Sequence, residues 1–186
     1  MQKYLFLFLF VSYQTVADWH VNNANSAIHF LSTKQSHITE IHTVQSFSGS
    51  LQSDGTFSLN IDLASVETGI EIRNKRMREW LFDLSNHRFA KLEGQLTQSL
   101  SAINPGMVME FEGTLTLNGK QQKVDGKARI AALDNNGLVV SLTSPLLIQT
   151  NQFDLVAGIE KLREIAGLKS ISYVVPVTAT LFLDKQ

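Results

Sequence analysis

Arg73 stands four residues before Met77, so it shares the stripe on which Met77, Trp80 and Leu81 recur at helical spacing. A guanidinium set against apolar side chains must find an acceptor. The chemistry open to it is a hydrogen bond to a carbonyl, a phenol or a phosphate. The same group serves equally as a tie, donating to backbone carbonyls or to Glu67 and so fixing its helix to what lies beneath. Thr68 has the position of a helix cap. Lys75, Arg76 and Arg78 form a basic face that water solvates and that anionic head groups would also suit.

Groups for catalysis are sparse. The histidines are His20, His29, His37, His42 and His87; no pair has the i, i+4 spacing of a zinc motif, and none adjoins a motif that activates a serine. His37 and His42 flank a loop or strand end. Glu110 and Glu112 fall on the outward parity of one strand, where water rather than paired acid and base chemistry accounts for them. With zero cysteines there is no thiolate nucleophile, cysteine metal site or disulfide. No phosphate-cradling glycine loop occurs, so neither metal nor cofactor is expected.

The elements that must position Arg73 and its stripe alternate with period two. Met107, Met109, Phe111, Gly113, Leu115 and Leu117 share one parity, with Glu110, Glu112, Thr114 and Thr116 between them, which is a half-buried strand. Asn118-Gly119 supplies a tight hairpin turn, and Val124, Gly126, Ala128, Ile130 and Ala132 alternate on the return. A turn at Asp134 to Gly137 leads into Leu138, Val140 and Leu142. Phe57, Leu59, Ile61 and Leu63 alternate likewise, with shorter strands around Ile28 and Phe30, Phe47 to Leu51, and Leu92 to Leu96. A long last strand runs from Ile171 to Leu183, with Pro176 marking an edge, an end or a bulge. Glycines at inward parity, Gly49, Gly94, Gly113 and Gly126, mark bends or close approaches to the backbone.

Beside the Arg73 helix, a second helix is expected with Asp154 as its N-cap. Leu155, Ile159, Leu162 and Ile165 form its stripe, and Gly167 is its stop. The expected fold is therefore all-β, a lipocalin-like closed antiparallel barrel of about eight strands with two short helices. An immunoglobulin-like sandwich is the rival, in which two amphipathic helices would be unusual inserts. In the barrel, Phe30, Phe47, Phe57, Leu59, Ile61, Met109, Phe111 and Leu115 would line the interior, and Met77, Trp80 and Leu81 would form the inner face of a helical lid. Such residues make either a solid core or the wall of a container for a greasy ligand.

The N-terminus does not belong to this pattern. Lys3 precedes the apolar run Tyr4 to Val11, and Thr15-Val16-Ala17 closes the segment, so residues 1–17 read as a secretory signal peptide. Residues 18–186 then form one domain, large enough to bury a core without disulfides, and a periplasmic location is expected. Loss of Lys3 leaves 15 basic against 17 acidic side chains, a formal charge of −2, and nothing global favours nucleic acid.

Four segments in order resemble the YceI-like polyisoprenoid-binding family. They are Trp19-His20-Val21 with Ser26 to Phe30; Ser65 to Thr68 with Arg73 to Arg78 and Leu81-Phe82-Asp83; Phe111 to Lys120; and Ile148 to Phe153 before a helix. The likeness spans nearly all of residues 18–186. It departs at Asn74, where the family often has an acid, and at Arg88-Phe89-Ala90, which lacks the usual proline. The resemblance implies an extended barrel holding a long isoprenoid lipid of quinone or polyprenol type, in an exported protein that is not an enzyme. Isoprenoid lipid is thus the expected partner, with transient contact to a membrane surface or membrane protein. Two other readings stay open: an enzyme acting on such a lipid, with Arg73 and a histidine together at the mouth, and a filled barrel whose helix face binds a membrane protein.

Overall fold

A computed structural model of the protein describes residues 18–100 and 106–186. The expected signal peptide, residues 1–17, lies outside the described residues.

The first half of the chain makes two long interrupted strands. Strand β1 (Asp18–Val21) resumes after a turn as β2 (Ala27–Lys34), and β3 (Ile38–Val44) resumes as β4 (Phe47–Gln52). β2 pairs with β3 and β1 with β4, both antiparallel, so the two halves form one hairpin broken in the middle. At the break, Asn23 satisfies backbone groups that have left the ladder. Its side chain donates to the Gln45 carbonyl at 2.9 Å and accepts from the Phe47 N–H at 2.7 Å.

Strands β5 (Thr56–Asp62), a short β6 (Val66–Glu67), β7 (Phe89–Leu96), β8 (Met107–Leu117), β9 (Lys120–Ala132), β10 (Leu138–Leu142), β11 (Leu146–Gln149) and β12 (Val174–Lys185) complete the sheet. The order β1-β4-β5-β7-β8-β9-β10-β12 closes when β12 pairs back on β1, giving an eight-stranded antiparallel barrel. β12 is long enough to span two strands on each edge, β10 then β11 on one side and β1 then β2 on the other. The expected fold class is the observed one. The β8–β9 turn has Asn118 at φ 50° and Gly119 at φ 72°, the hairpin geometry that the Asn-Gly pair predicts.

Three local expectations are corrected. The last strand begins at Val174, and Ile171 makes an isolated bridge to Lys34 instead. Asp154 does not cap the second helix: it sits at φ 55°, ending a 3₁₀ turn over Thr150–Phe153, and Leu155 occupies the N-cap. His42 lies within β3, buried, and flanks no loop.

Inward-facing side chains fill one end of the barrel. Trp19, Leu51, Met109, Phe111, Ile130 and Leu183 pack there into a floor. Phe57 and Phe111 meet edge to face, their ring centroids 5.8 Å apart, and each ring lies on glycine. A Cβ at Gly94 would come within 2.6 Å of the Phe57 ring, and one at Gly126 within 2.8 Å of Phe111. The inward glycines at these positions make room for aromatic rings. Gly94→Ala is therefore expected to destabilise the barrel by about 1–3 kcal/mol through overpacking, read as a lower urea midpoint with an unchanged slope.

Candidate ligand cavity and its mouth

Above the floor the interior is empty. A cavity of about 610 Å³ runs between the barrel wall and two helices, lined almost wholly by apolar side chains. Helix α1 (Glu71–Arg76) continues into a π turn over Met77–Leu81, and α2 (Val156–Ile165) lies against that turn. A Cβ at Gly158 would fall 2.6 Å from the Trp80 carbonyl oxygen, so the glycine sets how closely α2 approaches. Leu155, Ile159, Leu162 and Ile165 of the second helix all face the cavity, as their spacing predicts.

Of the lining expected from sequence, Phe30, Phe57, Leu59, Ile61, Arg73, Met77, Leu81, Phe111 and Leu115 border the cavity. Phe47, Met109 and Trp80 do not. Phe47 is buried in the wall with Ile28 and Val44, and Met109 belongs to the floor. Trp80 turns away because the π turn pairs Phe82 N–H with the Met77 carbonyl. Each residue of such a turn advances by less than the roughly 100° of an α-helix, so i+3 drops off the stripe while i+4 keeps it. Trp80 lies instead between the Arg76 guanidinium, 5.9 Å from its ring centroid, and the Lys161 ammonium of α2 at 4.7 Å. The Lys161 contact joins α2 to the π turn, while the Arg76 contact lies within one helical segment.

At the mouth the lining turns polar. Ser32 and Lys34 of β2 and Glu40 and His42 of β3 occupy successive inward positions there. Arg73 Nη1 donates to Glu40 Oε2 at 2.7 Å and Nη2 to the Thr68 carbonyl at 2.6 Å, while Lys34 Nζ lies 2.9 Å from Glu40 Oε1. Arg73 thus ties helix to strand through Glu40 and a backbone carbonyl, not through Glu67. Its Nε is buried and has no hydrogen-bond partner among the described residues. The hydrogen bond from Lys34 and the charge of Arg73 hold the Glu40 carboxyl below its ordinary range, against the opposing effect of burial.

His42 is 5% exposed, with Nε2 2.8 Å from Ser32 Oγ and its ring 5.2 Å from that of Phe30. Burial first, then the Arg73 charge, lowers its pKa and favours the neutral ring. Nδ1 is buried and has no hydrogen-bond partner among the described residues. A catalytic triad needs the acid on Nδ1 and the serine on Nε2. Here Glu40 Oε2 lies 4.0 Å from Nε2, the serine side, rather than on Nδ1. Among the described residues no three His, Asp or Glu side chains gather as metal ligands.

Asn74, 1% exposed, holds the start of α1 in place of a helix cap. Its Oδ1 accepts from the Thr68 N–H at 2.9 Å and the Thr68 hydroxyl at 2.6 Å, and its Nδ2 donates to Glu67 Oε1 at 3.0 Å. Thr68 therefore bonds to Asn74 rather than capping the helix, whose N-cap is Ile70. An acid at position 74 would set two carboxylates together, so Asn74 and Glu67 are matched to one another.

The sequence reading missed Ser32, Lys34, Glu40 and His42. Their trace is the failure of alternation in β2 and β3, where inward positions that should be apolar are Ser32 and Lys34, and Glu40 and His42.

The arrangement defines a lipocalin-like barrel: closed, floored at one end, hollow above, and lidded by helices. A YceI-like domain model matches residues 19–182, and the chain belongs to that family. A polyisoprenoid-binding domain from Saccharophagus degradans, implicated in plant cell wall breakdown, is 33% identical. It superposes with a TM-score of 0.85, over 92% of this chain and 100% of that one. BcnA of Burkholderia cenocepacia shares the fold at 19% identity and a TM-score of 0.70, over 87% and 98% of the two chains. The YCEI protein of Campylobacter jejuni shares it at 15% and 0.51, over 75% and 83%. No curated protein sequence matches the chain.

Two outcomes follow at the mouth. Unfolded His42 takes up a proton near its ordinary 6.5, whereas in the fold it does so only at lower pH. Its contribution to stability is complete above pH 6.5 and lost as pH falls through the folded value. The Glu40 contribution is complete above its ordinary 4.5 and is lost at still lower pH. Urea midpoints should hold level above pH 6.5 and decline below it, and His42→Asn should flatten the part of the decline that precedes Glu40. Asn74→Asp should lower the urea midpoint at neutral pH, because it buries a carboxylate beside that of the half-buried Glu67. The loss should shrink as acid protonates the pair, in the same urea titration.

Proposed function

We propose that this protein is an exported, non-enzymatic binding protein that encloses the tail of an isoprenoid lipid, of quinone or polyprenol type, for carriage, storage or scavenging. The observation that carries the reading is the apolar cavity of about 610 Å³ above the barrel floor. At roughly 30 Å³ per water-sized group it has room for at least about 20 heavy atoms, or four five-carbon units. Each unit contributes about 3–4 kcal/mol gross from burial of its carbons. Four such units stay below the practical ceiling of about 18–21 kcal/mol before ordering costs are subtracted. The 33% identical Saccharophagus domain, a polyisoprenoid binder, supports the same ligand class. The composition of residues 1–17 supports export to the periplasm.

Within this reading the mouth supplies what the tail cannot. Phe30, Phe57, Leu59, Ile61, Met77, Leu81, Phe111 and Leu115 would contact the tail. Arg73 and neutral His42, which both line the mouth, would lie beside the head group. The Glu40 carboxylate at the same mouth disfavours a densely anionic head group. Binding is favoured over turnover by the geometry of His42, whose Nδ1 lacks an orienting acid. The hollow interior favours a container over a filled interaction module.

The deciding measurement is mass spectrometry of a solvent extract from protein purified out of its native compartment, with an intact isoprenoid lipid expected. Leu59→Arg and Phe111→Arg place a cation against the tail and should abolish the co-purified lipid while circular dichroism reports an unchanged β fold. An undiminished yield of lipid from a folded variant would overturn the tunnel assignment.

A further inference from the structure

The rim of the cavity is apolar yet open to water. Ile70 and Ile72 at the start of α1 and Ile165 at the end of α2 line the cavity, but are 48%, 51% and 48% exposed. Ile38, on the inward parity at the top of β3, is 42% exposed. All four sit at one end, because the β2–β3 tip is stitched to the segment after α2. Gln35 N–H donates to the Ser170 carbonyl at 3.0 Å, and Gln35 Oε1 accepts from the Lys169 N–H at 3.1 Å.

Charge at this end differs from that of the whole. From Ile70 to Leu81 basic residues outnumber acidic ones four to two, and from Glu160 to Lys169 three to two, in a chain with 16 basic and 17 acidic residues. Lys75, 3.8 Å from Glu79 on the same helical segment, and Lys169 are exposed, whereas Lys34 is paired with Glu40 inside the mouth.

We propose that this end docks on an anionic phospholipid surface, with the four isoleucines entering the head-group boundary and the exposed lysines over lipid phosphates. Apolar rim and cationic fringe are the two contributions that hold a protein at such an interface. Continuity of the rim with the cavity lining gives an insoluble tail a dry path between bilayer and barrel, so it need not cross water. A soluble protein partner would match the charge, but would not need an apolar rim that runs on into the cavity.

The test is co-sedimentation with vesicles of phosphatidylglycerol and phosphatidylethanolamine, and with vesicles of phosphatidylcholine alone. Binding is expected to the first only and to weaken with salt. The pair Lys75→Glu and Lys169→Glu should lower affinity by at least about 25-fold, at about fivefold per cation removed. The pair Ile70→Asp and Ile72→Asp should abolish binding, with the fold checked by circular dichroism. The proposal is overturned by absent binding, by equal binding to both vesicles, or by isoleucine variants that pellet like the parent. It is also overturned by a dimer that those variants split, which would make a second copy the occupant. Protein that pellets but yields no extractable lipid upholds docking while refuting the contents proposed for the cavity.

Discussion

The ion pair between Arg73 and Glu40 ties the helical lid to the barrel wall, alongside the Asn74–Glu67 hydrogen bond. Arg73 belongs to a six-residue helix too short to be stable alone, and Glu40 to a strand whose upper half lies beyond the closed ring. Lys34 from the neighbouring strand completes the cluster. Both partners are about a third exposed or less, where desolvation offsets much of the Coulomb attraction. The value of the pair is therefore in position. It fixes where α1 lies, hence which side of the π turn faces inward.

An eight-stranded barrel has an interior that its own side chains can just fill, and the two ends of this one differ in how they use it. At the floor, Phe57 and Phe111 press against Gly94 and Gly126, so bulk on one strand is matched by its absence on the next. Higher up, the wall carries Leu, Ile and Val, while helices rather than side chains close the space. The broken strands allow this. By interrupting β1/β2, β3/β4 and β10/β11, the chain extends part of the wall beyond the ring, and α1 and α2 rest against that extension.

Polar groups at the mouth are set by the same economy of partners. Glu40 is saturated by two cations, and Asn74 spends its amide on Thr68 and Glu67. Among the described residues Arg73 Nε and His42 Nδ1 are left without hydrogen-bond partners. A buried donor without an acceptor costs about 1–3 kcal/mol, which the contacts around it must offset.

What the sequence by itself determined is what depends on local periodicity. Alternation marked the strands, Asn118-Gly119 the central hairpin, and Leu155, Ile159, Leu162 and Ile165 the face of the second helix, because these patterns follow from how one segment presents its own side chains. Four ordered segments were also enough to place the chain in its family. Tertiary structure alone decided that Trp80 leaves the stripe, since a π turn is selected by packing against α2 and not by residue spacing. It decided that Phe47 and Met109 lie in wall and floor although their parity is inward, because parity gives a side but no depth. And it brought Ser32, Lys34, Glu40 and His42 to Arg73, residues over thirty positions away, since a polar cluster in a strand erases the apolar alternation by which strands are read.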